Sequence, residues 1–94
     1  MTGLLRVRLY VAGDAPNSTA AIANLRVALA QCAPELFELE IIDVLVDHER
    51  GMRDGVLQTP MLVRHEPHPE RRILGNLRNR VLLLAVLGLP PDPQ

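Results

Sequence analysis

Cysteine, histidine, carboxylate and arginine side chains are where a small chain carries chemistry, and here the spacing of each class limits what it can do. Cys32 is the only cysteine, which excludes an internal disulfide and any cysteine cluster for zinc or iron–sulfur. It falls on the apolar side of an alanine-rich helical pattern, which predicts a buried and inert thiol. His65 and His68 stand three apart, a spacing that suits a metal on a helix. Pro67 and Pro69 forbid a helix there, so no metal site is predicted. Asp47, Glu49 and Asp54 fall in a short polar stretch and read as a solvated helix face. All 10 basic residues are arginine. Without lysine there is no P-loop and no Schiff-base chemistry. Arg64, Arg71 and Arg72, with Arg78 and Arg80 behind them, form the main basic cluster. The guanidinium fork matches a carboxylate at two points, so these arginines are predicted to meet an acidic loop of a protein partner. Catalytic residues, cofactor and metal are all predicted to be absent.

The elements that must position these groups are few. Ninety-four residues make one domain. Hydrophobic residues at 48% and charged residues at 22% are globular proportions. Aromatics at 2% cannot build a base-stacking platform, and a net charge of −1 leaves no footprint for a polyanion, so nucleic-acid binding is excluded. Residues 1–47 hold 3 arginines against 6 acids and residues 48–94 hold 7 against 5, which predicts two unlike faces. Met1-Thr2-Gly3 runs straight into a strand pattern without a signal sequence, and the longest apolar run, Val81–Leu87, is too short for a membrane span. A cytoplasmic protein is expected.

Leu5, Val7, Leu9 and Val11 alternate with Arg6, Arg8 and Tyr10, which predicts a strand. Gly13 to Ser18 is a turn that leads into a helix capped by Asn17 or Ser18. Ile22, Leu25, Leu29 and Cys32 line that helix, and Ala33-Pro34 stops it. Phe37 to Val46 predicts a second strand, exposed at its start and buried at its end. Residues 47–55 give one or two helical turns. Met61–Arg64 and Glu70–Leu74 predict two more strands around a proline-punctuated loop, and Leu77–Leu87 predicts a last helix closed by Gly88 and Pro90. Because the run Val81–Leu87 is apolar all round, part of it should be covered by another chain or by the tail. The expected fold is therefore α/β in the order βαβ-α-ββα, over residues 4–88, with a flexible proline-rich tail at 89–94.

Three blocks carry a family resemblance. Leu9-Tyr10-Val11-Ala12-Gly13-Asp14-Ala15-Pro16-Asn17-Ser18 resembles the LYVAG-x-x-PNS opening of the KaiB family and of the related sensor domain of the histidine kinase SasA. Ile42-Asp43-Val44-Leu45 is similar to the family's IDVL strand. Val56-Leu57-Gln58-Thr59-Pro60-Met61-Leu62, followed by Arg71-Arg72-Ile73-Leu74-Gly75-Asn76-Leu77, resembles its TP and RRI(I/L)G block. The resemblance implies a thioredoxin-like single domain whose loop after strand 1 has lost the C-x-x-C pair, so thiol exchange is not expected. It implies a structural role for Gly13, Pro16 and Pro60, with Thr59-Pro60 at the cis-proline position, and a protein-binding face that includes Asn17. It implies a KaiC-type hexameric ATPase as partner in circadian, timing or stress signalling, or alternatively an adaptor for a histidine kinase. KaiB proteins also have a tetrameric ground state with a rearranged C-terminal half. Where clock members break the last helix with glycine, this chain has Val86, which favours the thioredoxin-like arrangement as monomer or dimer. Phe37-Glu38-Leu39-Glu40 matches the segment that pairs with KaiA in cyanobacteria; its two carboxylates predict that a KaiA-type partner does not bind.

Overall fold

A computed structural model describes residues 4–93 of the chain; Met1, Thr2, Gly3 and Gln94, which carry the start and end of the sequence expectations, lie outside it. The elements run β1 Leu5–Val11, α1 Pro16–Leu29, a 3₁₀ turn at Pro34–Leu36, β2 Phe37–Asp43, α2 His48–Arg53, β3 Met61–Glu66, β4 Arg71–Leu74 and α3 Arg80–Leu87. The expected order βαβ-α-ββα is the observed one. Four strands form one sheet in the order β2-β1-β3-β4, with β1 parallel to β2 and the other pairs antiparallel.

The register puts Leu5, Val7 and Leu9 beside Phe37, Leu39 and Ile41 on one side and, through Leu62, beside Ile73 on the other. This apolar face packs on Ala21, Leu25, Ala28 and Leu29 of α1 and on Leu83, Leu84 and Leu87 of α3, all nearly sealed from water. Each fully buried leucine contributes about 1.5–3 kcal/mol, so this layer is what holds the domain. On the opposite face, Tyr10, Ile42 and Val63 form a smaller core under α2 and its flanks, with Val44, Val56 and Met61 against them.

Several boundaries differ from expectation. Helix α1 starts at Pro16, whose fixed φ suits the first helical position, and neither Asn17 nor Ser18 caps it. Ser18 is buried and its Oγ accepts the Ala12 amide at 3.1 Å. The helix ends at Leu29, so Cys32 lies in the following turn, half-buried. Strand β2 stops at Asp43, and Val44 to Val46 turn away instead of completing a buried strand: Asp43 Oδ1 accepts the amides of Gly13 and Leu45, both at 2.9 Å. Helix α3 begins at Arg80 because Asn79 Oδ1 accepts the Leu82 amide at 3.1 Å, leaving Leu77 buried in a non-helical, positive-φ conformation of 62°. The tail is tied at two points: Leu89 packs on the core and its amide donates to Leu84 O, and Asp92 pairs with Arg80 at 2.6 and 3.0 Å.

Candidate functional site

The C-terminal ends of β1 and β2 and the start of β3 meet at one end of the sheet, where an open α/β sheet offers its loops to ligands. Three loops converge there: the turn after β1 with Gly13, the turn after β2, and the approach to β3 through the cis Thr59–Pro60 bond. Gly13 has φ +56°, and a Cβ there would stand 3.3 Å from Leu45 Cδ1, so glycine both relieves backbone strain and makes room for the neighbouring loop. Its amide on Asp43 ties the first two loops together. Pro16 starts α1 and Asn17 is exposed in its first turn. Pro60 is buried, and its carbonyl accepts the Gly75 amide at 2.9 Å. The end that carries a redox pair in thiol enzymes of this architecture carries no thiol here, and Cys32 lies beyond the far end of α1.

What the loops present is hydrocarbon. Leu57 is 94% exposed, Val46 85%, Leu45 72% and Met52 67%. Met52 and Leu57 border a shallow pocket of about 210 Å³ with Val44, Val56 and Thr59, and Leu45 leans on the Gly13 turn. Four large apolar side chains, three on ordered loops and Met52 on α2, are thus held in water. Leucine and valine in Ile42-Asp43-Val44-Leu45-Val46 gave no local sign of this, because an apolar run reads as buried.

The arginines are not brought together. Arg64 points to the helix side, is 8% exposed, and donates to Val86 O at 2.7 Å and Pro69 O at 2.6 Å. It fastens α3 to the loop before β4 and is not available to a partner, which corrects its placement in the exposed patch. Arg71 and Arg72 are exposed on β4 and point to opposite faces. Arg72 pairs with Glu70 at 3.0 Å and donates to Asp54 O at 2.6 Å. Arg80 is occupied by Asp92. Val81, Leu82 and Ala85 remain exposed on α3 and Val86 is half-buried, which is what the expected self-association through Val81–Leu87 can offer beyond the buried Leu83, Leu84 and Leu87.

The uncovered part of the second sheet face is a charged lattice. Arg6 pairs with Glu38 at 3.1 Å, Arg8 lies 3.4 Å from Glu40 and 3.3 Å from Asp54, and Arg50 grips Glu40 at 2.9 and 2.7 Å. Arg50 holds the Glu40 carboxyl below its ordinary range. The buried Tyr10 hydroxyl donates to Asp54 Oδ2. Burial pushes the Asp54 carboxyl up, but the Tyr10 hydroxyl, His65 and Arg8 together outweigh it and the group sits below its usual value. Burial, then Asp54, push the Tyr10 phenol up. His65 therefore belongs to this lattice, 3.4 Å from Asp54 and 3.5 Å from Glu70. Asp54 is the member that residue spacing did not single out as a tie, because its partners lie on three other elements.

Compared with solved structures, the fold superposes on the N-terminal domain of Synechococcus elongatus SasA with a TM-score of 0.72 and 19% identity, over 100% of this chain and 92% of that one. Fasciola hepatica thioredoxin gives a TM-score of 0.74 and 17% identity, over 95% and 84%. The fold is thioredoxin-like. A family model for the KaiB domain matches residues 8–89. The circadian clock oscillator protein KaiB of Gloeothece citriformis is 39% identical over 86 residues, covering 92% of this chain and 81% of that protein. Its namesake from Thermosynechococcus vestitus is 40% identical over 83 residues, covering 88% and 77%. The chain belongs to the KaiB family. No helix among the described residues is long and apolar enough to cross a membrane.

Proposed function

We propose that this protein is a non-enzymatic, KaiB-like regulator that works in the cytoplasm by docking on a KaiC-type hexameric ATPase in a circadian, timing or stress response. The observation that carries the reading is the exposed apolar surface of Leu45, Val46, Met52 and Leu57 at a loop end without a thiol. Its relatives' role as circadian clock oscillator proteins supports the clock setting. Apolar side chains this exposed repay their hydration only when a partner covers them, at roughly 25 cal/mol per Å² of surface removed from water. Asn17 at the loop end, and Arg71 and Arg72 along the sheet edge, are proposed as the polar contacts around it. Glu38 and Glu40 on the outer strand are tied to Arg6, Arg8 and Arg50, and a KaiA-type partner is not part of the proposed function.

The test is co-elution with the KaiC-type hexamer of the same organism. Leu57→Asp should abolish the complex while the far-ultraviolet circular dichroism stays that of the parent protein. Arg71→Glu should weaken it, and the part of the affinity owed to the arginines should fall as salt shortens the screening length below about 10 Å. A complex untouched by Leu57→Asp, or no complex with the parent protein, overturns the reading.

A further inference from the structure

Strand β4 is an outer strand of the sheet, and its pairing with β3 dictates which of its backbone groups are free. In an antiparallel ladder, hydrogen-bonded and non-hydrogen-bonded pairs alternate. The Gly75 amide donates to Pro60 O at 2.9 Å, which makes Pro60 and Gly75 a hydrogen-bonded pair. Counting along the observed register, Leu62 with Ile73 and Arg64 with Arg71 are hydrogen-bonded too, and Met61 with Leu74 and Val63 with Arg72 are not. The amides and carbonyls of Arg72 and Leu74 therefore point outward, four backbone groups with no strand beside them.

The side chains along this edge carry a charge bias. Arg64 and Arg71 sit directly opposite each other on the helix side, a like-charged pair. The two terminal nitrogens of Arg64 go to carbonyls, its buried Nε has no partner, and no carboxylate lies on it. Among the described residues, no acid stands within ion-pair distance of Arg71 or Arg78. Next to them Ile73, Leu74, Leu77 and Leu82 border a groove of about 210 Å³ that Arg78 also lines. The other outer strand, β2, is different: its Glu38 and Glu40 already hold Arg6, Arg8 and Arg50.

We propose that the free edge of β4 is a docking site for an extended acidic segment of a protein partner, which adds a fifth strand antiparallel to Arg71–Leu74. Strand addition draws affinity from the main chain and specificity from alternate side chains. In that register the incoming strand sets two apolar residues against Leu74 and Ile73, then two carboxylates, one against Arg72 in exchange for its Glu70 and one against Arg71, which holds no acid. The preferred segment reads apolar-apolar-acid-acid. The site rests on β4 alone and does not depend on the identity of the ATPase.

The probe is the peptide acetyl-Ser-Val-Val-Asp-Glu-Ser-amide, titrated into ¹⁵N-labelled protein, with a Val-Val-Lys-Lys peptide as control. The acidic peptide should shift the Arg72 and Leu74 amides in a saturable way, and the lysine peptide should not. Leu74→Pro removes an outward N–H without touching the β3 ladder and should weaken binding by about tenfold or more. If that variant is misfolded, Arg71→Glu serves instead: it should lose the acidic peptide and gain the lysine one. Equal binding of the two peptides, shifts centred on Phe37–Glu40, or still amides at Arg72 and Leu74 at millimolar peptide overturn the proposal.

Discussion

Reversing the charge at Arg64 is the perturbation on which sequence pattern and structure disagree most sharply. From its place in a basic cluster, Arg64→Glu should weaken partner binding and leave the fold intact. Buried as it is, with its two terminal nitrogens on Val86 O and Pro69 O, it should instead be a fold residue. A hydrogen bond from a charged donor is worth about 1.5–3 kcal/mol, and burying a guanidinium costs several kcal/mol in return. Arg64→Met removes both terms, relieves an Nε–H that is buried without a partner, and leaves two carbonyls, of which that of the exposed Pro69 can turn to water and that of Val86 less easily. One orphaned carbonyl at about 1–3 kcal/mol, partly offset by the relieved Nε–H, sets the expected loss near 1 kcal/mol. For a domain of this size that lowers Tm by roughly 4–8 °C. Arg64→Lys keeps the charge but loses the fork and should cost about 1 kcal/mol. Arg64→Glu aims a buried carboxylate at two carbonyl oxygens and should unfold the domain, a loss of about 4 kcal/mol or more. Urea unfolding followed by circular dichroism reads the first two, and the spectrum without urea reads Arg64→Glu. Arg64→Met within about 0.5 kcal/mol of the parent protein, the ordinary range of surface substitutions, would refute the reasoning.

Two further substitutions probe the loops and the charged face. Gly13→Ala puts a side chain at φ +56° against Leu45 Cδ1 and should cost about 1–2 kcal/mol, read as a shift of the urea midpoint at constant slope; a neutral result would mean the turn has another conformation at little cost. Asp54 has a folded pKa below its unfolded value of about 3.9, so its stabilising contribution is complete above that pH and is lost as pH falls through the lower folded value. Asp54→Asn should flatten this acid limb of the stability profile, and an unchanged limb in the variant would assign it to other carboxylates.

How much of this was legible follows from where each residue's polar partners lie. Strand β1 was legible because its two faces meet different surroundings, Leu5, Val7 and Leu9 in the core and Arg6 and Arg8 among carboxylates, so the alternation states the burial directly. The element order was legible for the same reason, with prolines and glycines marking the breaks. The start of α1 was not, since Ser18 looks like a cap until Ala12 is seen to claim its hydroxyl. Nor was the end of β2, where an apolar run is diverted by one carboxylate that binds Gly13, thirty positions away in the chain. Arg64 was misplaced because the carbonyl that holds it is 22 residues distant. At the end of β2 and at Arg64 the local pattern is overruled by a hydrogen bond to a backbone group far along the chain. At the end of β2 the overruled pattern also has a cost, for Leu45 and Val46 are left in water where a continued strand would have buried them. A local rule broken at a cost in stability marks a place where something other than folding is being served. That is the physical ground for the proposal that a partner docks at this end of the sheet, and it is independent of any resemblance.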